Sequence, residues 1–334
     1  MIAISGGGTG GHLIIAKTLC EELNKRGEKT IFIGSQNGQD KLWFENDNGF
    51  RHKYFLPSSG VVDKKGFSKL FSLLNTIKLS FKCMSIFREH SIKKIVCVGG
   101  YSAAPAAFAG ILTKKEIYIH EQNAVTGKLN KFIKKFAKKF FSSYEGKFYS
   151  YPVNLKFFES ARVRNELKTI MFLGGSQGAK FINSLALELA LSLKEKNIKI
   201  IHQCGLREFD EIKQKYEKLG VEAEVFAFSK NIEESMKKAD LCISRAGASS
   251  LWELCANRLP CIFIPFPFAA KNHQFYNAKF LYEKNLCVLI EQKNVDKNTV
   301  LRHIDNINLA KISSGLANII EKNGAKIIVD EILA

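Results

Sequence analysis

The chain has 334 residues, 46% of them hydrophobic, enough for two globular domains of roughly 150 residues each. Its 50 Lys and Arg against 32 Asp and Glu leave a net charge of +18, which points to polyanions or an anionic membrane surface. The eight cysteines form no Cys-x-x-Cys pair and fall mostly in apolar patterns, which excludes a disulfide framework and predicts small core residues in a reducing compartment. The longest apolar runs, such as 103–112, fall short of the ~18–20 residues of a membrane span. Ile2-Ala3-Ile4 enters a strand with no secretion-signal pattern before it. The expectation is a cytoplasmic chain that does not cross a membrane.

The first strand breaks into Ser5-Gly6-Gly7-Gly8-Thr9-Gly10-Gly11-His12, and an amphipathic pattern then runs from Leu13 to Leu23. A glycine-packed turn at the head of a helix brings backbone N–H groups and the positive end of the helix dipole close to an anion. The spacing is neither Gly-x-Gly-x-x-Gly nor a P-loop. His12 is the only titratable side chain in the turn. Thr30 to Gly34 reads as the second strand. From Phe67 to Arg88, apolar residues Phe67, Leu70, Leu74, Ile77, Phe81 and Met84 recur at helical spacing, and Leu73, Leu79 and Ile86 lie off that stripe. Lys64, Lys65, Lys69, Lys78, Lys82 and Arg88 surround it. Ile95 to Val98 is a strand leading to Gly99-Gly100-Tyr101-Ser102 and an alanine-rich helix. Ile117 to Ile119 is another strand, ending in His120-Glu121-Gln122-Asn123. A helix is expected over 128–141, with Leu129, Phe132, Ile133, Phe136 and Phe140 on one face and six lysines on the other.

Regularity lapses around Tyr149 to Asn154, where Pro152 marks a linker. The opening unit then repeats: a strand over 168–173, the turn Gly174-Gly175-Ser176-Gln177-Gly178, and a helix over 179–194. Further strands fall at 199–204, 225–228 and 241–244, the last leading into Arg245-Ala246-Gly247-Ala248 and a helix that carries Glu253. Pro260 to Pro267 supplies one more strand and a proline turn, and His273-Gln274 open a helix to Lys284. Two β-α-β halves, each with a phosphate-ready loop, predict an α/β protein of two doubly wound domains facing a cleft.

In order along the chain, Gly7-Gly8-Thr9-Gly10-Gly11-His12, Gly99-Gly100-Tyr101, His120-Glu121-Gln122-Asn123, Gly174 to Ala179, Ser244 to Ala248 and Gln274 with Asn277-Ala278 resemble the MurG family of N-acetylglucosaminyltransferases. The resemblance runs nearly end to end. It implies the GT-B architecture of two Rossmann-like domains. Residues 1–152 would form the acceptor and membrane-binding domain, 153–321 the donor domain, and a helix at about 322–334 would pack back on the first. It also implies inverting transfer of N-acetylglucosamine from UDP-GlcNAc to the 4-hydroxyl of the undecaprenyl-diphospho-muramoyl-pentapeptide, lipid I.

The roles the resemblance carries over are as follows. His12 is the base that takes the acceptor proton, with Glu121 as second choice. Thr9, Gly10, Gly11, Asn123, Ser176, Gln177, Ser229, Ala248, Ser249, Ser250, Leu251, Glu253 and Gln274 contact the donor, Glu253 through the ribose hydroxyls. Gly8, Gly99, Gly100 and Tyr101 face the lipid diphosphate. Imidazole titrates near neutrality, and a helix N-terminus favours its neutral form, as a base requires. No cofactor or metal is implied, and no Asp-x-Asp is present. An anionic surface would be met through helices 67–87 and 128–141, which places the chain peripherally on the cytoplasmic face of the inner membrane.

Two departures stand out. Where the family carries a linker arginine that meets the donor, this chain has Asn154, with Lys156 and Arg162 as the nearby cations. Before Gln274, where acids are common in the family, it has Lys271-Asn272-His273. Rival readings are a related enzyme with another lipid acceptor such as diacylglycerol, a UDP-sugar epimerase, or a basic nucleic-acid-binding protein. The last is disfavoured because the lysines border phenylalanine- and leucine-rich helices.

Overall fold

The structure, a computed structural model, describes residues 1–60, 66–175 and 177–334. It divides into two compact units, Met1–Pro152 with Asn323–Ala334, and Val153–Lys322.

In unit 1 the chain alternates β1 Ile2–Gly6, α1 Gly10–Lys25, β2 Thr30–Ser35, α2 Asp40–Phe44, β3 His52–Leu56, α3 Gly66–Glu89, β4 Lys94–Gly99, α4 Ala104–Leu112, β5 Glu116–Glu121, α5 Lys128–Ile133 and β6 Lys139–Ser142. Unit 2 continues with α6 Leu155–Glu159, β7 Thr169–Leu173, α7 Lys180–Glu195, β8 Lys199–Gln203, α8 Phe209–Lys218, β9 Ala223–Phe226, α9 Ile232–Lys238, β10 Leu241–Ser244, α10 Ala248–Ala256, β11 Cys261–Phe263, α11 His273–Glu283, β12 Val288–Leu289, α12 Lys297–Asn306 and α13 Leu309–Leu316. The last helix, α14 Gly324–Leu333, belongs to unit 1, where Arg26 pairs with Asp330 at 2.8 Å and Lys139 pairs with Glu331.

Both sheets are parallel throughout, ordered β3-β2-β1-β4-β5-β6 and β12-β11-β10-β7-β8-β9. Counted from its own first strand, each has the order 3-2-1-4-5-6 of a doubly wound fold, so the internal repeat read from the glycine turns extends to whole-unit topology. Strands covered on both faces are apolar runs, as in fully buried Ile2–Gly6 and Leu241–Ser244. All eight cysteines are free and buried.

One sequence expectation needs correction. The segment 128–141 is not one helix. After α5, a short 3-10 turn at Lys134–Phe136 gives way to extended Ala137, and Lys139–Ser142 pairs with β5 as the edge strand β6. Lys138 N donates to Ile117 O at 2.8 Å, and Phe141 is fully buried. An open sheet edge that buries Phe141 outweighs helical periodicity there. The lysines assigned to one basic face are partly paired within the unit, Lys134 to Glu145, Lys138 to Glu116 and Lys139 to Glu331.

In α3 the periodic apolar stripe does not face the core: Phe67 and Phe81 are 82% and 61% exposed, and Phe71 beside them is 70% exposed. Leu70, Leu74 and Ile77 are exposed beside them. The buried face runs through Ser72, Thr76, Leu79 and Ser80 to Cys83, Ile86 and Phe87. Thr76 and Ser80 donate their hydroxyls to the carbonyls four residues back, both at 2.8 Å, which makes small polar side chains acceptable inside. Those small side chains lie on the face that packs against alanine-rich α4. By length and hydropathy alone α3 could cross a bilayer, but this packing makes it a helix of the unit. Lys64 and Lys65 lie outside the described residues.

Candidate active site

In an open α/β sheet, ligands bind at the carboxyl ends of the strands where strand order reverses. In unit 1 that point lies between β1 and β4, and the two loops leaving those strands are Gly6–Thr9 and Gly99–Tyr101. They are locked together. Gly7 N donates to Gly99 O at 3.1 Å, and a Cβ on Gly100 (φ +77°) would fall 2.2 Å from Gly7 O. Gly8 N donates to Asp40 Oδ2 at 2.6 Å, and Ser35 N donates to Asp40 Oδ1 at 2.7 Å. Tyr101 donates its hydroxyl to Asn37 O at 2.7 Å.

Asp40, at the start of α2, is fully buried, and desolvation pushes its carboxyl above the usual range against the pull of these bonds. Sequence reasoning missed it, because a lone acid 32 residues from Gly8 carries no local signal. It changes the reading of the loop: the N–H groups of Gly7 and Gly8 point inward and are already taken. What this loop offers an anion is the positive end of α1, which begins at Gly10.

His12 is the third residue of α1. Its Nδ1 lies 3.0 Å from Thr9 Oγ1 and its Nε2 lies 2.8 Å from Gln122 Nε2. Gly99 makes room for it, since a Cβ there would stand 2.9 Å from ring atoms Cδ2 and Nε2. His120 is buried on β5. Burial and then the nearby His12 push its imidazole down to about 3, so it is neutral.

Glu121, the second choice for the base, serves another purpose. It is buried, and its carboxylate accepts from Asn123 N at 3.0 Å, Gly127 N at 3.0 Å and Asn130 Nδ2 at 2.9 Å. Three donors make it the anchor of the 122–127 loop rather than an available base. Asn123 is thereby positioned through its own backbone N–H. Thr9, Gly10, Gly11 and Asn123 all belong to unit 1, whereas the other donor candidates belong to unit 2.

The matching point in unit 2 lies between β7 and β10. After β7 the chain turns through Gly175 (φ +78°) and Gly178 (φ +75°); a Cβ on Gly178 would fall 2.1 Å from Cys204 O. Gln177 is exposed there, and Ser176 lies outside the described residues. After β10, extended Gly247 caps α10, so Ala248 to Leu251 form its first turn with Glu253 just beyond.

Glu253 keeps partial solvent exposure. The dense protein around it, and then Glu233, raise its carboxyl to about 7. Ser229 accepts from Asn231 N at 3.0 Å, which closes the turn after β9. Gln274 accepts from Phe266 N at 2.9 Å through its carboxamide oxygen. Asn277 ties α11 to Ala246 O at 3.2 Å.

Arg245 braces this region. Its guanidinium donates to Ile264 O, Pro265 O and Gln292 Oε1 at 2.7–3.2 Å and lies between the rings of Phe181 and Phe266. Burial lowers it to about 10. At the linker, Asn154 caps α6 by accepting from Lys156 N at 3.1 Å. Arg162 does not replace the absent arginine: it donates to Lys237 O and Ala239 O and pairs with Asp240 at 2.6 Å. Lys156 lies 3.6 Å from buried Glu233, the acid that raises Glu253. Among the described residues, no three His, Cys, Asp or Glu side chains are placed to hold a metal.

Two Rossmann-like units of this strand order, with glycine-turned loops at both switch points, define a GT-B glycosyltransferase fold. The chain belongs to glycosyltransferase family 28, whose N-terminal domain matches residues 2–142 and whose C-terminal domain matches residues 169–331. It is 63% identical over 333 residues to the UDP-N-acetylglucosamine--N-acetylmuramyl-(pentapeptide) pyrophosphoryl-undecaprenol N-acetylglucosamine transferase of Campylobacter fetus, covering 100% of this chain and 99% of that one. The transferase of the same name from Campylobacter jejuni is 54% identical, covering 99% and 97%. In three dimensions, the crystal structure of Acinetobacter baumannii MurG aligns with a TM-score of 0.80 over 99% of both chains at 24% identity, a likeness of fold.

Proposed function

We propose that the chain transfers N-acetylglucosamine from UDP-GlcNAc to the 4-hydroxyl of undecaprenyl-diphospho-N-acetylmuramoyl-pentapeptide, with inversion at the anomeric carbon. The observation that carries this reading is the 63% identity, over the full length of both chains, with the Campylobacter fetus transferase. Unit 1 receives the acceptor and unit 2 holds the donor. As the 4-hydroxyl oxygen bonds to the anomeric carbon, His12 Nε2 takes its proton, and the C–O bond to UDP breaks with its electron pair going to the diphosphate. The N-terminus of α7 stabilises that charge, so a chelator should leave turnover unchanged. In a single turnover with α-linked UDP-GlcNAc, the new linkage should be β by NMR. An α product would exclude a direct displacement.

Glu253 gives the donor site a pH signature. Its carboxylate accepts both ribose hydroxyls only when ionised, and in the free protein it titrates near 7. Donor binding therefore releases a proton and tightens as pH rises through 7, by roughly tenfold between pH 6 and 8 if the bound carboxylate stays ionised. Glu253→Gln should weaken binding and flatten that dependence in calorimetric titrations. A wild-type affinity independent of pH would contradict the ribose role.

The exposed apolar face of α3, flanked by Lys69, Lys78 and Lys82, supports peripheral attachment to the anionic cytoplasmic face of the membrane. Half-exposed Phe132 and Phe136 beside Lys128, Lys131 and Lys135 extend the same chemistry. Replacing Phe67, Phe71 and Phe81 together with serine removes no core contact, yet it should lower partition onto anionic vesicles by at least about tenfold. Unchanged partition would exclude this face.

A further inference from the structure

Gln122 stands between Glu121 and Asn123 and touches the His12 ring. It follows β5 directly and is 7% exposed. Its carboxamide nitrogen lies 2.8 Å from His12 Nε2, while Thr9 Oγ1 lies 3.0 Å from His12 Nδ1. The imidazole is held at both nitrogens. A carboxamide nitrogen can only donate. A bond from it to Nε2 therefore requires the lone pair on Nε2, which puts the ring proton on Nδ1, donated to Thr9.

The other end of the same carboxamide, Oε1, is buried and has no hydrogen-bond partner among the described residues. Buried acceptors are ordinarily paired. Among the described residues, His120 on β5 faces the ring and is neutral from burial, while Glu121, next to Gln122, is turned to the 123–130 segment; Asp40 is bonded to Gly8 N and Tyr101 to Asn37 O in the neighbouring loops.

We propose that Gln122 is a positioning residue for the transfer: by donating its carboxamide N–H to His12 Nε2 it reserves the lone pair on the nitrogen that receives the acceptor proton, and it cedes that place as the acceptor hydroxyl arrives. The proposal rests on His12 acting as the base. Gln122→Glu reverses the polarity of the contact, because a carboxylate accepts a proton from Nε2 instead of donating one. Gln122→Met keeps the volume and removes the donor.

The test is a pH titration of the full chain labelled with 15N-histidine, run alongside the pH–rate profile of sugar transfer for wild type and both variants. Wild-type His12 should carry its neutral-form proton on Nδ1. In Gln122→Glu that proton should move to Nε2, and the ring should titrate at least about one pH unit higher. The acid limb of the rate profile should rise with it. In Gln122→Met the preference for Nδ1 should weaken without that rise. An unmoved titration in Gln122→Glu overturns the proposal while leaving His12 available as the base, whereas a wild-type neutral ring protonated on Nε2 overturns both, because that nitrogen then has no lone pair for the acceptor proton. A moved titration with an unmoved rate limb overturns the base assignment and the proposal with it.

Discussion

Replacing His12 with alanine is expected to lower turnover by about 10²–10⁴-fold while leaving donor affinity within about twofold. The split follows from where the parts reside. The His12 side chain is not what holds the Gly6–Thr9 turn. Asp40 fastens Gly8 N, and Gly99 O fastens Gly7 N. The proposed donor contacts of the α10 turn, Glu253 and Gln274 belong to unit 2 and do not depend on the imidazole. Steady-state kinetics with a separate UDP titration checks both halves. Near-normal turnover would remove His12 as the base. An equal loss in turnover and donor affinity would mean that the ring acts in binding.

The second large effect is on stability. Arg164 is 0% exposed. Its guanidinium donates to Met236 O at 3.0 Å, Asn257 Oδ1 at 2.5 Å, Ala239 O at 3.2 Å and Arg162 O at 2.7 Å, and also to Asn257 O. It gathers the carbonyl ends of α9 and α10, the helix that carries Glu253. Burial, and then Arg162, lower it to about 9, so it remains a cation at neutral pH. Arg164→Met should destabilise unit 2 by on the order of 3–5 kcal/mol, because it strands several buried acceptors at once. Arg164→Lys should be only a partial rescue, since an ammonium lacks the planar five-donor fork. Chemical denaturation followed by Trp252 fluorescence, with Trp43 of unit 1 replaced by phenylalanine in both proteins, reads this. A loss below about 1 kcal/mol would mean that water replaces the guanidinium.

What was legible in the sequence is local. Each glycine turn stands between a strand and a helix within a dozen residues, so both repeats, the doubly wound class and the position of His12 could be read directly. The failures are cases where tertiary contacts outweigh local pattern. Lys139 to Ser142 continues a helical periodicity, yet β5 needs a neighbour and Phe141 needs burial, so it forms a strand. In α3 the apolar stripe was evident, but which face turns inward was decided by small residues: Thr76 and Ser80 satisfy their hydroxyls within the helix, and the Ser72 hydroxyl meets Ser59 Oγ at 3.4 Å. Asp40, Gln122 and Arg164 act across 32, 110 and up to 93 residues, and no spacing rule announces such partners. Glu121 was found by its motif neighbours, but its three backbone and side-chain donors appear only in three dimensions.

Labelled N-acetylglucosamine transfer from UDP-GlcNAc, with the muramoyl-pentapeptide lipid diphosphate and diacylglycerol offered in the same vesicles, decides which acceptor the enzyme uses. The label should enter the muramoyl lipid with release of UDP, and none should enter diacylglycerol. Transfer to diacylglycerol, or release of free sugar with neither lipid labelled, would contradict the proposed function.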